Sequence, residues 1–203
     1  MLRVIVEIRP ERSGRSHFTR PESRVGLLKT SLESLISAVR VFKIILEAWY
    51  PILRLREAGH KVVVIGPEGG VTYTSKHGYP LKSDLGIARA RASQFDGVII
   101  PGGYAPDKMR RDPRMVKFVR DLFRAGKLVA TICHGGWMWA EADIVRGRKF
   151  TSVSAIKTDL INAGGAYLDR EVVVDGNLVS SRTPPDLPAF MKAVLEFLGE
   201  EKK

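Results

Sequence analysis

The 203-residue chain has one cysteine, Cys133, and four histidines, at positions 17, 60, 77 and 134. A single thiol excludes an internal disulfide, and the histidine spacing matches none of the usual metal-ligand patterns, so neither a metal nor a cofactor is expected. No apolar run approaches the roughly 20 residues that a bilayer-spanning helix needs. The opening MLRVIVEIRPERSGR is too short and too quickly charged for a secretion signal. The expectation is a cytoplasmic protein with no membrane partner. No internal repeat is visible either, which leaves out solenoids and propellers.

What is present is an ordinary globular composition, 44% hydrophobic and 27% charged, in a length that suits one α/β domain. Lys and Arg number 33 against 22 Asp and Glu, a formal net charge of +11. That excess raises the prior for an acidic partner. Yet residues 1–33 carry only a net +3, from seven basic and four acidic side chains, and most of the rest is spread along the chain. Spread charge reads as a solvated face, or as ion-pair networks of a heat-adapted protein, and argues against a nucleic-acid partner.

From about Ser34 onward, short β-branched runs alternate with longer amphipathic ones, the pattern of strands feeding crossover helices onto a parallel sheet. Strands are expected at Lys61–Ile65, Gly97–Ile100 and Leu128–Ile132, each apolar on both faces as buried parallel strands are. Helices are expected at Glu47–Ala58, stopped by Gly59, and at Asp112–Ala125, with Pro113 in the first turn and Gly126 beyond the end. Glu171–Asp175 and Leu178–Ser181, joined through Asp175-Gly176-Asn177, read as a hairpin, and Leu187–Leu198 reads as a closing helix. Residues 1–33 stand apart as an N-terminal extension ahead of a domain at 34–203. Their apolar run Leu2–Val6 leaves three readings open: an edge strand with a loop, a disordered extension, or residues upstream of the true start, with most weight on the last two. The first strand of the domain is then Leu35–Val39.

Chemistry concentrates in LVATICHGGW. A cysteine stands where a buried strand ends and a helix is about to begin, followed at once by His134, Gly135 and Gly136. Such a turn lifts the side chain above the carboxyl edge of the sheet and needs small neighbours. A helix N-terminus behind the thiol is expected to favour the nucleophilic thiolate, with His134 as base or acid. The plain alternative is a small buried hydrophobe. Pro101-Gly102-Gly103, at the end of a second predicted strand, offers backbone N–H groups near the same edge, so Gly102, Gly103 and His134 are candidate oxyanion donors. Trp137 and Trp139 read as helix packing.

RLREAGHKVVVIGPE, SKHGYPLKSDL, DGVIIPGGYAPDKMRRDP, GKLVATICHGGW, RGRKFTS and INAGGAYLDREVVVDGNLVSSRTPPDLPAFM together resemble the ThiJ/PfpI family, most closely its PfpI-type intracellular cysteine proteases and deglycases, over about Leu35 to Leu198. The resemblance implies a flavodoxin-like three-layer α/β sandwich with a mostly parallel sheet, similar to class I glutamine amidotransferases. It implies Cys133 as nucleophile, His134 as its partner, and Glu47 of EAWYP as an acidic residue hydrogen-bonded to the thiol; read alone, Glu47 is the exposed face of a helix. It also implies Asp107, just after the GGxAP turn, as a third member supplied by an adjacent subunit, hence a dimer assembling to a hexamer with a shared active site. Read alone, Asp107 is a helix cap. Two departures stand out. Val41-Phe42-Lys43-Ile44-Ile45 replaces an acidic Gly-Phe-Glu-Asp stretch, and Val153 and Gly136 replace a frequent tyrosine and proline, implying a missing hydroxyl and a looser turn.

Three activities fit these residues. The first is peptide hydrolysis through a Cys133 thioester, with Asp107 orienting His134. The second is glutathione-independent glyoxalase or deglycase chemistry on methylglyoxal or glycated side chains, with Glu47 as proton shuttle. The third is redox sensing through oxidation of Cys133 to a sulfinic acid beside Glu47.

Overall fold

The computed structural model describes residues 5–9, 46–74 and 79–199. The described residues begin with strand β1 (Ile5–Arg9), helix α1 (46–57) and β2 (Lys61–Gly66), followed by β3 (Thr72–Thr74), β4 (Pro80–Lys82) and β5 (Leu85–Gly86). Next come β6 (Gly97–Ile100), α2 (Ala105–Met109), α3 (Pro113–Arg124), β7 (Leu128–Ile132) and α4 (Trp137–Glu141). The chain closes with β8 (Lys149–Phe150), α5 (Lys157–Asn162), β9 (Ala166–Tyr167), β10 (Val172–Asp175), β11 (Leu178–Ser181) and α6 (Leu187–Phe197). The main sheet has seven strands in the order β10-β11-β7-β6-β1-β2-β5. β6, β7 and β11 pair in parallel, as do β2 and β5, while β1 and β10 run antiparallel to their neighbours.

The local reasons for these elements are those the sequence carries. Gly59, at φ +84°, lets the chain leave α1, with the His60 amide returning to the Leu55 carbonyl. Asp112 caps α3 by accepting the Arg114 amide at 3.0 Å, with Pro113 in the first turn. β6 and β7 are buried on both sides. Alternate residues feed two cores. Val98, Ile100 and Val129 pack with Met115, Phe118, Val119 and Leu122 of α3. Ile99, Ala130 and Ile132 pack with Ile52 and Leu55 of α1 and with Phe190 and Val194 of α6. The result is a three-layer α/β/α sandwich, and the parallel register brings the carboxyl ends of β6, β7 and β11 to one edge, with Ile100 opposite Thr131 and Ser181 opposite Ile132.

Of the N-terminal extension the structure describes Ile5–Arg9, and there it overturns the edge-strand reading. Ile5–Arg9 is no edge strand: it lies inside the sheet, pairing antiparallel with β2 (Val6 opposite Val64) and with β6 (Val6 opposite Ile99). The expected first strand, Leu35–Val39, lies outside the described residues, as do Val41–Ile45 and the remainder of the extension.

Candidate active site

β7 delivers Cys133 to the sheet edge and a four-residue 3-10 turn, Cys133–Gly136, carries the chain into α4. Cys133 has φ +60°, a left-handed conformation that a non-glycine residue holds only when its surroundings enforce it. They do so by close approach. A Cβ on Gly135 would lie 2.5 Å from the Ile100 carbonyl oxygen, so the turn can sit this tightly on the end of β6 only with glycine there. The expectation of a looser turn at Gly136 is corrected on the same ground. Its backbone is ordinary right-handed helix, and a Cβ would lie 2.7 Å from a Leu160 methyl, so the position is packed instead of slack.

On one side of the sulfur stands Glu47, only 2% exposed in the first described turn of α1. Its Oε2 accepts the Gly102 amide at 2.7 Å, and its carboxyl is hydrogen-bonded to Cys133. Burial pushes the Glu47 carboxyl up to about 7, against the lowering effect of the Gly102 and Cys133 hydrogen bonds. Gly102 makes this pairing possible. A Cβ there would fall 2.6 Å from both Cys133 Cβ and Glu47 Oε2. Because its amide is committed to Glu47, Gly102 supplies space rather than the expected oxyanion donation. The amides of Gly103 and His134 are the two that point at the sulfur.

The expected thiolate is not produced by a helix dipole, since a 3-10 turn and a five-residue helix follow the cysteine. Burial pushes the Cys133 thiol up to about 12, and the charge of an ionised Glu47 adds to the rise. When Glu47 carries its proton that charge vanishes and its O–H becomes a donor to sulfur, joining the Gly103 and His134 amides. The site thus handles its protons through the carboxyl–thiol pair.

On the other side of the sulfur, His134 Nδ1 lies 3.2 Å from Sγ, and burial lowers the pKa of the imidazole and keeps it neutral. The His134 ring stands 5.2 Å from the Trp137 indole. Asp107, expected at the histidine of a neighbouring subunit, makes its described bonds within the protomer. It bonds to Arg110 at 3.0 Å and Arg111 at 2.9 Å, which hold its carboxyl below its usual value. Its described bonds join it to those two guanidiniums and not to His134, and it caps no helix. Among the described residues no cluster of His, Cys, Asp and Glu is arranged to hold a metal ion.

Residues 44–197 match the DJ-1/PfpI family. The chain belongs to the DJ-1/PfpI family. It is 47% identical over 152 residues to a deglycase of Pyrococcus horikoshii, covering 75% of this chain and 91% of that protein. It is 44% identical over 151 residues to protein/nucleic acid deglycase 2 of Escherichia coli (73% and 88%). It is 43% identical over 148 residues to a Bacillus subtilis protein provisionally named a cysteine protease (73% and 88%). Among solved structures, Drosophila melanogaster DJ-1beta superposes with a TM-score of 0.72 at 30% identity, over 78% of this chain and 86% of that one. No described helix is long and apolar enough to cross a membrane.

Proposed function

We propose that this DJ-1/PfpI protein is a cytoplasmic, cysteine-dependent deglycase that acts on adducts of α-oxoaldehydes such as methylglyoxal. The observation that carries this reading is the Glu47–Cys133 pair: a buried carboxyl whose pKa is pushed up to about 7, hydrogen-bonded to the thiol. An aldehyde substrate needs a group that both gives and takes a proton near neutral pH at the carbon bonded to sulfur, and Glu47 is that group. The names of the relatives from Pyrococcus and Escherichia support the same chemistry.

The steps follow from the groups present. Glu47 takes the Cys133 proton as the sulfur adds to the aldehyde carbon and passes it to the aldehyde oxygen, or, on a carbinolamine adduct, to the amine that leaves as C–N breaks and C–S forms; either way Glu47 is left as carboxylate. The Gly103 and His134 amides, which bond the sulfur, are the donors available to the oxygen that forms on the carbon next to it. Glu47 as carboxylate removes the hydrogen on the sulfur-bearing carbon, and the electron pair forms the C=C bond as the neighbouring ketone oxygen takes up the charge, giving an ene-diolate. Glu47 returns the proton to the neighbouring carbon while the hydroxyl proton passes between the two oxygens, leaving a lactoyl thioester. Water, with His134 as base, cleaves it to lactate and restores the thiol. The redox change is internal to the substrate, and one water is consumed.

Lactate release from methylglyoxal without glutathione is the test. Wild type is expected to turn over and Cys133→Ala to lose at least about a thousandfold, as nucleophile removal does. Equal lactate release from the two proteins overturns the reading. Peptide hydrolysis is the second reading, favoured by the 3.2 Å contact between Cys133 Sγ and His134 Nδ1. Cleavage of a fluorogenic peptide that is lost in Cys133→Ser, with no lactate formed, would establish it instead.

A further inference from the structure

His134 must hold Nδ1 toward the sulfur, and in a nucleophile–base pair a third group ordinarily fixes the base. Within the protomer and among the described residues no carboxylate is hydrogen-bonded to this imidazole, which contacts the thiol and the indole of Trp137, 5.2 Å away with the planes at 59°. The cause is local. A 3-10 turn eclipses side chains three residues apart, so a turn that starts at Cys133 sets residue 137 beside residue 134.

Two other elements pin the indole. Its Nε1 donates to Asp159 Oδ2 of α5 at 2.7 Å, and the Arg110 guanidinium of the turn closing α2 lies 5.0 Å from the ring centre. Arg110 is itself held by Asp107 at 3.0 Å. Trp139, two residues on, has none of this: it is 1% exposed in the core and its indole nitrogen makes no hydrogen bond. One tryptophan is packing; the other is fastened at both ends, half-buried, against the imidazole.

We infer that Trp137, clamped between Asp159 and Arg110, is a positioning residue that packs on the His134 imidazole and holds it with Nδ1 facing Cys133. The inference rests on Cys133 being the reactive thiol, whichever substrate it attacks.

Cys133 is the single cysteine, so alkylation by iodoacetamide reads this thiol alone and independently of turnover. At pH 7, Trp137→Leu is expected to slow alkylation about fivefold, and to change it no further in a His134→Ala background, the non-additivity of a residue acting through another. Trp137→Phe, which keeps a ring against the imidazole, recovers most of the rate and covers the case in which the leucine variant does not fold. In turnover, kcat falls about tenfold while KM stays within about twofold. Equal slowing with and without His134 overturns the inference, as does a raised KM at unchanged kcat, which would make the indole a substrate contact. Failure of the deglycase reading shows differently, as absent lactate with the alkylation pattern intact.

Discussion

The two flanks of Cys133 are built on opposite terms. The Glu47 flank is dry and closed: a carboxyl 2% exposed, a glycine with no room for a methyl group, and a hydrogen bond spanning 55 residues of sequence between α1 and the end of β6. The His134 flank is half-exposed and built from neighbours, with an imidazole, an indole and a guanidinium stacked from a turn, a short helix and a second short helix. The dry flank stores a proton, because desolvation raises the pKa of the carboxyl into the neutral range. The stacked flank stores a direction, because a neutral imidazole contributes only if its nitrogen faces the sulfur. Proton affinity is thus set where water is excluded and geometry where rings are clamped.

The sharpest way to break the dry flank is Gly102→Ala. The added Cβ meets Cys133 Cβ and Glu47 Oε2 at 2.6 Å and the His134 amide nitrogen at 2.9 Å, so the two reactive side chains are forced apart. Overpacking of this kind costs about 1–3 kcal/mol, and activity should fall at least about a hundredfold from the loss of geometry. Urea denaturation and lactate assays measure both. An active Gly102→Ala enzyme would mean that the glycine is a turn residue only.

Glu47→Gln tests the proton store by its pH dependence. A carboxyl at about 7 in the fold and near 4.5 when unfolded binds more protons folded than unfolded, so its burial weakens the protein as pH rises through that window. Above pH 7 the full cost applies, about 3 kcal/mol at 1.36 kcal/mol per pH unit. Glutamine keeps an acceptor for the Gly102 amide and never ionises. The variant should therefore be more stable than wild type at pH 8, by up to about 3 kcal/mol, with the gap closing near pH 4.5, while lactate production collapses. A gap independent of pH would place the ionised carboxylate in a solvated setting.

The same contrast decides what was legible in the sequence. Strands β6 and β7, helix α3 with its Asp112 cap, and the β10–β11 hairpin are written in local patterns of apolar runs, caps and turns. So is the nucleophile: a cysteine between a buried strand and two glycines announces its tight turn. Glu47 is different. Only packing against Gly102 turns a polar helix residue into a buried acid, and nothing within α1 signals that partner; family likeness alone pointed to it. β1 was hidden for a similar reason, since antiparallel insertion between β2 and β6 is a long-range pairing that a five-residue run does not encode. The Trp137–His134 contact had a local signal in its three-residue spacing, but only once the turn is known to be 3-10.

The stacked flank carries the smallest expected effect, and Asp107 supplies it. The family resemblance puts this carboxylate at a neighbouring subunit's histidine, whereas within the protomer it lies between Arg110 and Arg111, at the three- and four-residue spacings that favour ion pairs on a helix. If its task is to anchor Arg110, asparagine should nearly suffice, because an amide oxygen still accepts from the guanidinium and Arg110 still rests on the indole. Asp107→Asn is therefore expected to leave the thermal midpoint unchanged and to lower kcat less than about threefold, equally at all protein concentrations. An oriented catalytic carboxylate behaves otherwise. Its removal costs orders of magnitude, and if the group arrives from another subunit the wild-type activity also falls on dilution as the assembly dissociates. Activity and sedimentation measured together across a dilution series separate the two, since only a carboxylate donated in trans couples the loss of turnover to the loss of the oligomer.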